Sequence, residues 1–395
     1  MGDPLFSSGI SLAVFLIVVL KAVITFAVVL VSVLFMVWFE RKIIADMQNR
    51  VGPDEAGPWG MLQALADGTK LFFKEAFVPE RADRRIYRLA PYLSMVPAFL
   101  AFSIVPIGWK ISIAGHQTWL QLADPPVGIL FLLATSSIAV YGVMLAGWAS
   151  GSKYPLLGSV RASAQMISYE AALGLSVAAV VLVTGSLSTH DIVLSQAAGR
   201  GAGGIVPSWN LFRLGIVPFV IFLIAATAEL NRPPFDLVEA EQELVGGYQT
   251  EYASIGFALF YLAEFMNTIT MSAIIVTLFL GGPSGPRIAG YSVGILWFLI
   301  KVFVFLYTYV WLRATLPRFR YDQLMDLGWK RLIPLALGWL LVVAAIRVNA
   351  AWTIGVGAGI VVAGMLLYRA VLVGRQNTDE GEGLAERPLA RRART

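Results

Sequence analysis

Four charged side chains stand inside apolar stretches long enough to bury them: Lys21, Glu170, Glu264 and Lys301. A charge at the centre of a bilayer costs roughly 2.5–3.5 kcal/mol on insertion scales, so such groups face a protein interior or a wet path. Glu170 lies eight residues into its apolar stretch, about 12 Å deep at ~1.5 Å of helix rise per residue. Glu264 follows Glu251 by thirteen residues. Gln165, Tyr169, Asn267 and Thr268 place amides and hydroxyls nearby in sequence. Desolvation disfavours the charged form of any carboxyl, which suits a buried glutamate to taking up and releasing a proton. The alternative chemistry is structural: buried ion pairs, for example of a glutamate with Lys301, that hold helices in register.

The densest signal is residues 229–251, where six acids (Glu229, Asp236, Glu239, Glu241, Glu243 and Glu251) face the single Arg232. Pro233 and Pro234 end the preceding helix, and the segment after them can wind again. In that winding Asp236, Glu239 and Glu243 share a face at i, i+3, i+7, and Glu241 points elsewhere. Like charges this close repel, so several share protons or pair with basic residues of an earlier loop. A merely solvated acidic loop is the alternative.

The elements that must position these groups are membrane spans. Hydrophobic residues make up 57% of the 395 and charged residues 14%, too apolar for a domain covered by water-facing side chains. Stretches able to cross about 30 Å of hydrocarbon at ~20 residues each run over 9–39, 89–109, 126–150, 162–187, 211–230, 252–281, 288–312, 332–347 and 350–372. The first is not expected to be a cleaved signal, because its apolar run is too long and no basic residue precedes Lys21. The expected architecture is all-α and polytopic, with about nine spans in one domain over 1–375. Inside loops are expected at 40–88, 151–161, 230–251 and 313–331, followed by a polar, disordered tail at 376–395.

An outside N-terminus leaves 23 Lys and Arg residues in inside segments and 5 outside, and this split sets the orientation, with the C-terminus inside. The sequence pI near 9.4 therefore reflects topology and argues against nucleic-acid binding. The absence of cysteine excludes disulfides, thiolate-held iron–sulfur clusters and a cysteine nucleophile. The two histidines, His116 and His190, both fall in predicted outside loops, which argues against haem ligation in the bilayer and against a Cys/His metal cluster. The chain is expected to bind no flavin, haem, metal or iron–sulfur cluster, so electrons for any redox role must come from another subunit. The first inside loop should carry an amphipathic helix. Leu62, Leu65, Ala66, Thr69, Phe72, Phe73 and Ala76 recur at helical spacing, with Gln63, Asp67, Lys70 and Lys74 opposite. Such a helix is either an interfacial anchor or the wall of a cavity with Asp67 turned inward.

Several longer motifs then occur in order: Glu40-Arg41-Lys42; Arg50-Val51-Gly52-Pro53; Leu65 through Glu75; Arg161-Ala162 through Tyr169-Glu170; Glu229-Leu230-Asn231-Arg232-Pro233-Pro234-Phe235-Asp236-Leu237 with 239–247; and Arg313-Ala314-Thr315 with Pro317 through Leu324. From the first helix to about residue 345 the chain resembles the H-subunit family of bacterial proton-pumping NADH:quinone oxidoreductase, respiratory complex I. The resemblance implies a helical component of the bacterial cytoplasmic membrane that walls the access chamber for a quinone, ubiquinone or menaquinone, as substrate. It also implies docking to the peripheral arm and to neighbouring membrane subunits. It carries Arg41, Arg50 and Asp67 over as chamber residues, with Glu40, Lys70 and Lys74 beside them. Glu170, Glu229, Asp236, Glu239, Glu241, Glu243 and Glu264 become coupling carboxylates, and Arg161, Arg232 and Lys301 their basic partners. Family members have eight spans; the stretch at 350–372 and the charged tail are additions. Two other classes of function stay open on residues alone: the membrane subunit of a related membrane-bound hydrogenase, and a stand-alone ion transporter, although no paired half-repeats are visible.

Overall fold

The spans are built from long helices whose ends are set by identifiable caps and breakers. The computed structural model describes residues 3–6, 9, 11–113, 115–197, 208–237, 244–286, 293–349, 352–359, 362, 364–366 and 369. Two compact units divide the chain, Met1–Ala336 and Leu337–Thr395. In the first unit α1 covers Leu12–Met47, its start capped by the Ser11 hydroxyl, which accepts from the Val14 N–H at 3.3 Å. Its 36 residues reach about 54 Å at ~1.5 Å each, so its last turns, with Glu40 and Arg41, pass beyond the apolar layer. A short helix α2, Gln63–Phe73, follows. The next span, α3, is Arg84–Phe102, begun by Asp83, which accepts from the backbone of Arg85 and Ile86.

Strands β1 (Lys110–Ile113) and β2 (His116–Trp119) form an antiparallel hairpin pairing Lys110 with Trp119. This small sheet was not anticipated in an all-α reading. Helices α4 (Gly128–Ala149) and α5 (Lys153–Thr184) pack against each other, and α4 packs against α3. Gly142 permits the close approach: a Cβ there would lie 2.7 Å from the Ser94 nitrogen on α3. Helices α6 (Thr189–Ala197) and α7 (Asn210–Arg213) lead to α8, Ile216–Glu229. Helix α9, Ser254–Phe279, has 83% of its most apolar window buried and is the central element; α1, at 17%, is peripheral. Helix α10 is Gly294–Thr315, α11 is Tyr321–Asp326, a π-helical segment covers Leu327–Leu332, and α12 is Ile333–Val348.

Among the described residues, six helices are long and apolar enough to cross a membrane: α1, α4, α5, α9, α10 and Tyr321–Val348. The expected spans at 89–109 and 211–230 are helical but fall short. Helix α3 opens with Arg84, Arg85 and Arg88, and α8 has 14 residues before Pro233 and Pro234 intervene. The helix over Tyr321–Val348 starts eleven residues ahead of the expected span at 332–347. The polar residues that marked 321–331 as loop are accommodated along a helix, where Lys330 and Asp326 pair at 2.8 Å one turn apart. In the second unit a shorter apolar helix, Trp352–Leu366, coincides with the expected extra stretch. The tail at 376–395 lies outside the described residues.

Candidate functional site

Where α1, α9, α10 and the loop after α8 converge, four charges form a compact, balanced cluster. Glu40 is buried, with its two oxygens divided between two guanidiniums: Arg232 Nη1 lies 2.9 Å from Oε2, and Arg313 pairs with Oε1. Arg232, 4% exposed, also places Nε 3.0 Å from Glu264 Oε1, and its guanidinium lies over the Phe265 ring at 4.5 Å. Two carboxylates shared between two guanidiniums can be held in a low-dielectric interior because each charge has a partner.

The loop that supplies Arg232 is an interrupted helix. After Glu229 the chain leaves helical geometry, Asn231 takes a positive φ of 51°, and Phe235, Asp236 and Leu237 remain buried. Irregular backbone at this depth requires internal hydrogen-bond partners. Gln165 of α5 supplies them: its Nε2 donates to the carbonyls of Ala228 (2.7 Å) and Phe235 (2.9 Å) and to Asn231 Oδ1 (3.1 Å). Asp236 pairs with Arg318 at 3.2 Å. The helix expected to wind from Asp236 does not contain it, because the prolines keep 235–237 out of helical geometry. Glu239, Glu241 and Glu243 lie outside the described residues.

Beside the cluster is a cavity of about 680 Å³, lined among others by Glu40, Arg41, Arg50, Tyr261 and Arg313. Arg41 reaches Asp67 of α2 at 2.6 Å, and Asp67 also accepts from Gln63 at 3.2 Å and lies 3.8 Å from Lys70. Asp67 is thus turned toward Arg41 of α1, which lines the cavity. The apolar stripe points away from the protein instead, with Leu65 54%, Phe72 70% and Phe73 87% exposed. Lys74 stands apart: its side chain is exposed at the end of α2, and its carbonyl accepts from Ser254 at 2.8 Å.

Deeper in the bundle the carboxylates have no cation among the described residues. Glu229, the last residue of α8, is buried, and its Oε2 has no hydrogen-bond partner there. It lines two voids of about 20 and 40 Å³ that also share Met166, Leu230 and Asn267. One reaches Glu264, the other Thr135 and Ser136 of α4. The next residue, Ser137, donates its hydroxyl to Glu170 Oε1. Glu264, Glu229, the two serines and Glu170 therefore form a sequence of titratable or hydrogen-bonding groups from the charged cluster into the bundle.

The remaining basic residues do other work. The expected Glu–Lys301 ion pair is not formed among the described residues. Lys301 donates to the carbonyls of Leu280 (2.7 Å), Gly282 (3.0 Å) and Ser284 (2.6 Å) and lies 4.6 Å from the Trp209 ring centre, capping the end of α9. Depth along the sequence located it in an apolar helix but did not reveal which helix end it faced. Lys21 pairs with Asp3 at 3.0 Å and donates to Thr118 at 2.9 Å. Arg161 places its guanidinium over Tyr321 at 5.8 Å. Among the described residues no group of three or more His, Asp or Glu could hold a metal ion. Sequence reasoning passed over the bonding roles of Gln165, Ser137 and Arg318 and the place of Tyr261 in the cavity wall. The Pro-Pro break, which demands a donor for freed carbonyls, was the one available signal for Gln165.

Fold and site together define a class: a polytopic helical membrane protein in which a charged cavity leads to buried carboxylates. Residues 20–344 match the NADH dehydrogenase family. The chain is 51% identical over 391 residues to the H subunit of NADH-quinone oxidoreductase from Frankia alni, covering 95% of this chain and 84% of that protein. It is 50% identical to the corresponding protein of Frankia casuarinae over the same shares, and 46% identical to that of Streptomyces avermitilis over 94% and 84%. This chain belongs to the H-subunit family of NADH-quinone oxidoreductase.

Proposed function

We propose that the chain is the membrane subunit of proton-pumping NADH-quinone oxidoreductase that walls the quinone chamber and couples quinone reduction to proton movement. The observation that carries this reading is the continuity of groups from the 680 Å³ cavity through Glu40, Arg232 and Glu264 to Glu229 and Glu170. The reaction adds two electrons and two protons to a quinone. The electrons come from clusters of partner subunits, because a chain without cysteine offers no thiolate ligands.

A quinone gaining negative charge in the cavity attracts Arg41, Arg50 and Arg313. Any displacement of Arg313 loosens its hold on Glu40, and Glu40 in turn shares Arg232 with Glu264. Glu264 then carries more or less of a cation's field, which alters its tendency to hold a proton. Glu229, joined to it through a void, and Glu170 beyond respond in turn. Asp67, with Lys70 beside it, orients Arg41, and Lys74 stands apart from them. Asp236, paired with Arg318, stands with Glu239, Glu241 and Glu243 among the carboxylates that register quinone reduction, and Arg161 steadies α5 against α11.

The predominance of basic residues on the cavity side supports a cavity on the inside of the bacterial cytoplasmic membrane, with the N-terminus outside and the C-terminus inside. The exposed apolar stripe of α2 rests on lipid. Steady-state quinone reduction and proton translocation in the assembled Glu170→Gln enzyme test the coupling route. Pumping that falls relative to electron transfer supports it. Pumping at the normal ratio removes Glu170 from the route.

A further inference from the structure

A second large cavity lies away from the charged cluster. It measures about 600 Å³, within the ~300–1,000 Å³ range of small-molecule sites, and sits where α3 and α5 begin and α4 ends. Four charged side chains line it: Glu80, Arg81, Lys153 and Glu251. None of them forms an ion pair with another described residue, in contrast to the charges around Glu40.

Its walls are rigid. Tyr87 donates to the Glu251 carbonyl at 2.7 Å, and its ring stacks on Tyr252 at 4.1 Å. The Asp83 N–H bonds the Ala149 carbonyl at 3.0 Å, tying the start of α3 to the end of α4. Gly151, at φ +64°, lies so close to Arg81 that a Cβ would stand 2.9 Å from the Arg81 carbonyl carbon. The cavity is therefore built into the fold and is not an accident of side-chain placement.

Its depth is that of the membrane interface, since the spans α4, α5 and α9 end around it. Tyr154 (58% exposed) lines it, and Trp148 (56%) is exposed near the end of α4, the residue types that settle at headgroup level. Along the adjoining helices Leu89, Val96 and Leu157 expose aliphatic surface below it. An anionic headgroup would meet the Arg81 and Lys153 cations but also two carboxylates. A quaternary ammonium could satisfy the carboxylates only by charge, having no N–H to donate. A primary ammonium and a phosphate on one molecule match all four groups.

We propose that this cavity holds the headgroup of an amine-bearing zwitterionic phospholipid, of the phosphatidylethanolamine class, with phosphate on Arg81 and Lys153 and ammonium on Glu80 and Glu251. The acyl chains lie along the exposed faces of α3 and α5. The site depends on the membrane placement of these helices and not on the quinone reading.

The test uses the assembled enzyme in nanodiscs of phosphatidylcholine doped with phosphatidylethanolamine bearing a photoreactive group near the headgroup. Peptides spanning 79–88 and 150–157 are then sought as the labelled products. Labelling should saturate, be displaced by unlabelled phosphatidylethanolamine and not by phosphatidylglycerol, and fall about tenfold or more in Arg81→Gln/Lys153→Gln, which removes two interfacial cations. Glu251→Gln, which keeps both cations, should weaken labelling and narrow the preference over phosphatidylglycerol. Labelling that never saturates, equal displacement by both lipids, labelling unchanged in both variants, or cross-links from these peptides to another protein of the complex in place of lipid would overturn the proposal.

Discussion

The charged cluster at the cavity and the carboxylates deeper in the bundle contain the same kind of side chain in opposite circumstances. Glu40 and Glu264 share guanidiniums, whereas Glu229 and Glu170 have voids and a serine hydroxyl and, among the described residues, no cation. A carboxylate paired with a guanidinium has its charge compensated where it stands. A carboxylate without a cation in an apolar interior is tolerated best when it can carry a proton. On the proposed function, the difference separates a region that would sense charge from one that would store protons.

The comparison is broken most severely by Arg232→Met. It takes from buried Glu40 and part-buried Glu264 the guanidinium they share, and removing one partner of a buried pair costs roughly 3–5 kcal/mol. The expected result is failed assembly or a large drop in melting temperature. Adding Glu264→Gln should recover much of the stability without restoring proton translocation. Thermal unfolding and pumping assays on the two variants distinguish the structural role from the sensing role.

Gln165→Leu attacks the boundary between the regions. Two buried carbonyls, of Ala228 and Phe235, lose their donor, at about 1–3 kcal/mol for each group left unsatisfied. The melting temperature should fall, and the Arg232 loop should become more susceptible to protease. An unchanged melting temperature would mean that the interrupted helix end does not depend on this amide.

A smaller effect is expected at the cavity rim. The Arg41–Asp67 pair is partly solvated, so Asp67→Asn should cost less than about 1 kcal/mol of stability, and its effect should appear as a raised KM for quinone. The smallest change concerns the opposite end of the bundle. Burial pushes the His190 imidazole below its ordinary 6.5, with Asp124 and Asp191 opposing that. The folded state therefore binds this proton less readily than the unfolded state does. Its contribution is complete above about pH 6.5, and stability is lost as the pH falls from there through the lowered folded-state value. His190→Phe should flatten the melting temperature between neutral and mildly acidic pH; an unchanged slope would mean another group sets it.

Much of this contrast was legible in the residues themselves. Glu170 and Glu264 announced themselves as charges in apolar helices, Pro233-Pro234 as a helix end, and Asp67 as the polar face of α2. The partners were not legible, because sequence gives depth along a helix but not the direction a side chain faces. Lys301 looked like a counter-ion for a glutamate and instead satisfies three carbonyls at the end of α9. Gln165 and Ser137 looked unremarkable because single polar residues are common in helices, and only the fold brings them to a broken backbone and a half-buried acid. The start of the helix at Tyr321 was hidden by charges that a solvent-facing helix surface accepts readily.

The central claim is that Glu229 changes its proton occupancy when quinone is reduced in the neighbouring cavity. Infrared difference spectroscopy of the assembled enzyme, comparing oxidised and reduced quinone, reads the carbonyl stretch of protonated carboxylic acids directly. The account predicts a carboxyl band that changes on reduction in the native enzyme and is missing in Glu229→Gln. A native spectrum without such a change, or a band that persists in Glu229→Gln, would contradict it.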